Sequence, residues 1–339
     1  MTAVPTGSDG PAILGTGFAV PQTTRLNNDP IFARLNSDPT NAQRYFNGYA
    51  VRHVLAPDES LPDLMARACD MALKDAGVTP EEIDLVIGDG SIGPYAVPNV
   101  ISEVHQKLGL PERAWPIALS SAFSQFNASC VLADALIRAG RARYVLVALG
   151  DDWTRHVDYA TAQAASAGDG AAACVIGPRR DTGQFALVDY RTKVDTQYFG
   201  SMFMSTEPVD QAVADALDPQ TAVFQITPKG LEGFSKFAQA QGHLPVLDLL
   251  SAHGVDPAAA CLITHQASKV LMDTWHTNIR PGLYLNTLDL FANIVHSAVP
   301  FNLAFGLRKF HNFTQDWVVT LSLGPDMHIS SALFRRNGP

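Results

Sequence analysis

The chain has 339 residues, 47% of them hydrophobic and 17% charged, which excludes a disordered protein and gives ample material for a core. Against 33 Asp and Glu stand 24 Lys and Arg, a formal charge of −9. With no basic cluster, that balance excludes a nucleic-acid surface or an anionic membrane as partner. Cysteines at 69, 130, 174 and 261 form no CxxC pair and lie in apolar stretches, as reduced thiols of a cytoplasmic protein do, so neither a disulfide framework nor a metal site is expected. No basic region followed by an apolar run opens the chain, and no run of about 18 apolar residues occurs, so neither a secretory signal nor a membrane span is expected.

Short apolar runs alternate with helical patterns, which predicts an α/β fold. Residues 11–20, PAILGTGFAV, read as a strand interrupted by glycines. Ser60 and Asp63 make a weak capping box for a helix with Leu64, Met65, Ala68, Cys69, Ala72 and Leu73 on one stripe. That helix ends at Gly77, and residues 83–90, IDLVIGDG, follow as a buried strand. Residues 120–139, SSAFSQFNASCVLADALIRA, are apolar on nearly every face, which places this helix in the middle of the protein. Ser120 and Ser121 suit its N-cap, so its positive end would face whatever occupies a site there.

An internal echo organises the rest. Residues 74–91, KDAGVTPEEIDLVIGDGS, resemble residues 251–268, SAHGVDPAAACLITHQAS, 177 positions on. RYVLVALGDD (143–152) pairs with WVVTLSLGPD (317–326) at an offset of 174. Two echoes in one order predict a duplicated α/β unit, with halves over 11–180 and 181–335.

The segments GTG with Pro21 (15–21), GYAVRHVLAPDES (48–60), AGVTPEEIDLVI (76–87), AGDGAAACVI (167–176), THQAS (264–268), TLDLFANIVHSAVP (287–300) and SALF (331–334) resemble, in order and spacing, the thiolase superfamily. Within it the chain is similar to β-ketoacyl-acyl-carrier-protein synthase III over nearly its whole length. The resemblance implies two βαβαβαββ halves in a five-layer αβαβα arrangement, normally dimeric. It also implies catalysis by Cys, His and Asn. A thiolate at the start of the central helix takes the acyl group, and His and Asn hold a malonyl carbonyl oxygen during loss of CO2. His265 and Asn293 match the His and Asn.

The thiol does not match. Anchoring the helix on Phe126, Ala133 and Asp134 puts Phe123 at the cysteine position, and a one-residue shift puts Ala122 there. Cys130 lies seven residues further on and reads as a packed thiol. Ser120, Ser121 and Ser124 flank the position, the first two with a bland reading as helix caps, and Ser121 and Ser124 are candidates for a serine nucleophile with His265 as base. Phe123 would face the acyl tunnel. The positions that hold CoA in the family correspond to Ala42, Thr161 and Ala50, which favours a carrier-protein-bound donor. The Gly-rich loop has become LGPD (323–326), where Asp326 can offer a backbone N–H and Pro325 cannot. His296 matches no family role and reads as structural.

Three functions follow. The first is an acyltransferase or condensing-type enzyme of lipid or polyketide-like metabolism, acting on thioesters of CoA or acyl carrier protein without a further cofactor. The second is a non-acylating partner subunit of an intact ketosynthase, so that the chain would form a homodimer or a heterodimer. The third is a malonyl-thioester decarboxylase.

Overall fold

The computed structural model describes residues 10–37, 46–91, 95, 97–180, 184–205 and 222–336. Ten strands join in one sheet: β1 (Pro11–Ala19), β2 (Leu85–Ser91), β3 (Trp115–Ala118), β4 (Val145–Asp152), β5 (Asp169–Pro178), β6 (Phe185–Val194), β7 (Ala260–Thr264), β8 (Leu283–Leu285), β9 (Trp317–Gly324) and β10 (His328–Arg336). The predicted glycine-interrupted strand forms β1, whose pairing with β5 shifts register between Ile13 and Gly15. Six helices matter here: α1 (Leu61–Ala76), α2 (Val100–Lys107), α3 (Gln125–Arg138), α4 (Leu244–Ala252), α5 (Lys269–Ile279) and α6 (Ala298–Lys309).

The spatial order is β8-β7-β9-β10-β6-β1-β5-β4-β2-β3. Read outward from the β1–β6 seam, the two halves run β1-β5-β4-β2-β3 and β6-β10-β9-β7-β8. Their directions correspond as well. The two pairings next to the seam are antiparallel and the two outer ones parallel in each half. The seam itself is thin, with Ala12 opposite Ala186 and Ile13 opposite Phe185. The sequence echoes occupy equivalent places, one pair covering the entries to β2 and β7 and the other covering β4 and β9.

Long parallel strands buried on both faces need helices on both sides. On one outer face α1 packs on β1, β5 and β4 with α2 beside it, and on the other α4 packs on β10, β6 and β9. Leu271, Met272 and Trp275 of α5 join that second core. Between the two half-sheets lie α3 and α6, each touching strands of both halves. This is the αβαβα arrangement of the thiolase fold. Among the described residues, no helix is long and apolar enough to cross a membrane.

One boundary differs from the sequence reading and bears on the site. Helix α3 starts at Gln125, not at Ser120 or Ser121. Ala122 and Phe123 adopt positive φ angles of 43° and 63°, and the Ser124 N–H closes a turn on the Ser121 carbonyl at 2.7 Å. A left-handed pair cannot continue a right-handed helix, so the serines sit in and before a turn.

Candidate active site

The ends of parallel strands and the starts of the central helices meet at one cavity. It is lined by Phe123, His265 and Asn293 together with Trp153, Gln163, Ser166, Phe224, Leu323, Gly324 and Pro325, among others. Free space within it is about 40 Å³, room for roughly three waters.

His265 follows the last residue of β7, and its backbone N–H donates to the Leu321 carbonyl on β9 at 2.7 Å. Its Nδ1 lies 3.0 Å from the Val295 carbonyl oxygen. A carbonyl only accepts, so Nδ1 carries the proton and the neutral ring keeps a lone pair on Nε2. Burial pushes the pKa of His265 down to about 4, so the ring is neutral across the physiological range.

Asn293 is fixed on both sides of its backbone. Its N–H donates to the Ser166 carbonyl at 2.8 Å, and its carbonyl accepts from the Gly168 N–H at 3.1 Å. Its Oδ1 accepts the Val295 N–H at 2.9 Å, which leaves the Nδ2 amide as donor. One peptide residue therefore orients both groups, with Val295 N–H on Asn293 and Val295 C=O on His265. The backbone is strained to do so. Ala292 stands at φ 55°, ψ −149°, a conformation nearly reserved for glycine, and the β-branched Val295 at φ 45°.

This geometry alters the role implied for His265 by the family pattern. The resemblance implies that both groups hold a carbonyl oxygen as donors, whereas the serine alternative makes His265 a base. Here Asn293 is the donor and His265 Nε2 is an acceptor, suited to take a proton.

Phe123 occupies the position immediately before the N-cap of α3. Its half-buried ring lies nearly parallel to that of His265, with centroids 6.0 Å apart at 25°, and to His296 at 6.4 Å and 24°. Phe224 stands 6.4 Å away on another side and packs 4.9 Å from Trp153. The turn that delivers Phe123 is held by the β9–β10 hairpin. A Cβ on Gly324 would meet the Ala122 carbonyl oxygen at 1.9 Å, so only glycine allows that approach.

The remaining sequence candidates lie off the cavity lining. Ser124 is buried and is the N-cap of α3, yet its Oγ makes no hydrogen bond among the described residues. Ser121 is half-buried in the preceding turn. Asp326 sits in the hairpin turn closed by Met327 N–H on Gly324 C=O at 3.1 Å, while Gly324 and Pro325 form the wall. Cys130 is buried inside α3, and burial together with Cys174 holds its pKa well above the ordinary thiol value, the reverse of what a nucleophile needs. Of the CoA-related positions, Ala42 lies outside the described residues. Ala50 donates its N–H to the Asp289 carbonyl, and Thr161 Oγ1 donates to the Asp158 carbonyl; neither brings a cation. Trp153, Phe224 and Ser166 were not singled out from sequence, because they come from two short 3₁₀ helices and a short strand that carry no motif.

The family model for 3-oxoacyl-[acyl-carrier-protein (ACP)] synthase III matches residues 119–195. β-Ketoacyl-[acyl-carrier-protein] synthase III of Rhodospirillum rubrum is 27% identical over 295 residues, covering 85% of this chain and 88% of its own. The solved structure of 3-oxoacyl-(acyl carrier protein) synthase III from Pseudomonas aeruginosa PAO1 superposes with a TM-score of 0.79 at 25% identity, covering 97% of this chain and 99% of that one. The priming β-ketosynthase of the R1128 polyketide pathway gives a TM-score of 0.82 at 22% identity, covering 99% of each chain, which speaks for the fold alone. Over nearly its whole length the chain is thus similar to the ketoacyl synthase III proteins of the thiolase superfamily.

Proposed function

We propose that this protein is an acyltransferase that moves an acyl group from a thioester of CoA or acyl carrier protein directly to an acceptor held in the same cavity, with no acyl-enzyme. The observation that carries the reading is the pairing of a base, His265 Nε2, with a donor, Asn293 Nδ2, around Phe123 where the family pattern has its thiol. His265 takes the proton of the acceptor's O–H or N–H as that atom bonds to the acyl carbon. Asn293 stabilises the charge that develops on the carbonyl oxygen. The C–S bond then breaks, and the leaving thiolate recovers the proton from His265.

Release of free thiol from acyl-CoA and acyl-carrier donors, with hydroxyl and amine acceptors, tests this. Asn293→Ala should lower turnover by about 10²–10³-fold, and His265→Ala by about 10²–10⁴-fold. Intact mass should show no stable acyl adduct during turnover. An adduct on Ser121 or Ser124 would move the mechanism to an acyl-serine. Release of CO2 from a malonyl thioester without acyl transfer would favour the decarboxylase.

The narrowness of the cavity favours a second reading, a non-acylating partner subunit. For a homodimer or heterodimer the edge strand β3 is the candidate contact, with Trp115 66% exposed at its start. Complete absence of thioester turnover, with an intact ketosynthase bound, would establish that reading in place of the first.

A further inference from the structure

We propose that Asp151 and His296 form a buried positioning pair that fixes His265 as the base of the site, an inference that rests on the acyl-transfer reading above. Asp151 is the penultimate residue of β4, wholly buried, beside Ser91 at the end of β2. Its Oδ1 accepts from Ser91 Oγ at 2.8 Å and lies 3.1 Å from His296 Nδ1. That approach is a charge contact rather than an aligned hydrogen bond. Its Oδ2 accepts from the Ser297 N–H at 3.2 Å and from Ser297 Oγ at 2.8 Å. On the other side of the imidazole, Nε2 stands 3.3 Å from the Asp89 carbonyl oxygen. Both ring nitrogens of His296 therefore face oxygen acceptors, so the ring is at home with a proton on each.

The consequence reaches the site through the adjoining residue. With 296 and 297 anchored to Asp151, Val295 is held at its left-handed angle. From there its carbonyl accepts a hydrogen bond from His265 Nδ1–H and its N–H donates to Asn293 Oδ1. A carbonyl at that place selects the tautomer with Nε2 unprotonated. Neither Asp151 nor His296 is part of the cavity lining, so both act through Val295. The titratable groups facing His296 are Asp151, Asp89 and His265. Burial opposes its charge, yet the Asp151 carboxylate, with Asp89 behind it, outweighs burial and raises its pKa to about 9. The neighbouring positive charge in turn adds to the burial that keeps His265 neutral.

Long-range 1H–15N spectra of the full chain labelled with 15N-histidine, recorded between about pH 5 and about pH 9, test the pair independently of turnover. In the unaltered protein His265 should show the Nδ1–H tautomer alone, and His296 should be doubly protonated at neutral pH. Asp151→Asn should discharge His296 near neutrality and spread His265 over both tautomers. Ser297→Ala, which spares the charge pair, should leave His296 protonated. If Asp151→Asn does not fold, His296→Gln carries the same expectation for His265. Folded variants in which the His265 signals keep their tautomer and titration would overturn the proposal. Failure of the unaltered protein to turn over any thioester, with the tautomer results as expected, would sink the acyl-transfer reading and leave the pair standing.

Discussion

The two central helices hold equivalent places in the two halves, but the turns leading into them carry opposite chemistry. Before α3, a left-handed alanine (Ala122) delivers Phe123; before α6, a left-handed alanine (Ala292) delivers Asn293. In each case a glycine of the other half closes on the turn. A Cβ on Gly324 would lie 1.9 Å from the Ala122 carbonyl oxygen, and one on Gly168 would lie 2.5 Å from that of Phe291. The first turn is then packed with rings, and the second is tied by polar contacts to Asp151, Ser166 and His265. Backbone architecture is shared across the repeat, and side-chain chemistry is not. The turn that delivers Asn293 carries a polar frame, and among the described residues the turn that delivers Phe123 carries none.

The shared backbone is tested most severely by its glycines. Gly324→Ala puts a methyl group into backbone that has nowhere to go, and the expected loss is about 3 kcal/mol or more. Gly168→Ala should lose less, since its nearest backbone oxygen is farther away. Chemical denaturation of both variants checks the order. A Gly324→Ala protein as stable as its parent would remove the claim that the hairpin holds the Phe123 turn.

The charge on the second turn gives it a pH signature that the first lacks. His296 has its pKa raised from 6.5 to about 9, so its contribution is fully present below about pH 6.5 and lost as pH rises through about 9. A shift of that size is worth roughly 3 kcal/mol. His265, lowered to about 4, works at the acid end, where stability falls as pH drops from about 6.5 towards 4. There Asp169, whose burial raises its pKa to about 6, opposes it, because its stability effect grows as pH falls. On the alkaline limb His156, which burial opposes but the Asp152 carboxylate raises, acts in the same sense as His296, so a variant is needed to separate them. His296→Gln should flatten the fall between about pH 6.5 and about pH 9, as seen by urea midpoints across that range. An unchanged slope would mean that the pair is not charged.

Much of this was legible in the chain. Two echoes at nearly one offset sufficed for the duplicated fold, because equivalent strands must repeat the same apolar pattern to sit in equivalent cores. His265, Asn293 and Phe123, singled out from the sequence by their flanking residues, do line one cavity, which is as far as the structure takes them. The start of α3 was not legible, because Ala122 and Phe123 carry no sign of left-handed backbone; the hairpin around Gly324 imposes it from 200 residues away. Nor was the Asp151–His296 pair legible, since the two lie 145 positions apart and each looks like an ordinary polar residue at an element's end. The tautomer of His265 depends on one carbonyl, and no residue type encodes that.

The ring-filled turn should respond to truncation in an unusual order. Phe123 is only half-buried, so Phe123→Ala should lose about 2 kcal/mol, below the loss from a fully buried ring. Alanine still bears the strain of a φ of 63°, whereas glycine does not, so Phe123→Gly should be less damaging by about 1 kcal/mol. Phe123→Cys would place a thiol beside His265 at the start of α3, and should gain acyl mass from a thioester donor where the native protein gains none. A folded Phe123→Cys that takes no acyl group would show that the frame around the turn no longer supports acylation.

The smallest effect separates two serines that look alike in sequence. Ser60 caps α1, accepting the Asp63 N–H at 3.3 Å while its hydroxyl meets the Asp63 carboxylate. Ser124 stands at the N-cap of α3 with no side-chain cap bond, its Oγ buried and without a partner among the described residues. Replacing a working cap by alanine destabilises by about 1 kcal/mol, and Ser60→Ala should do so. Replacing a buried hydroxyl that bonds to nothing removes a desolvation penalty, so Ser124→Ala should leave stability unchanged or raise it by about 1 kcal/mol. Thermal unfolding of the two variants beside the parent reads the difference in sign. A Ser124→Ala protein as destabilised as Ser60→Ala would mean that the Ser124 hydroxyl does bond in solution. It would then have a partner at the mouth of α3 and a claim on the chemistry there. The opposite sign would leave Ser124 as filler beside Phe123, and the first turn without any nucleophile of its own.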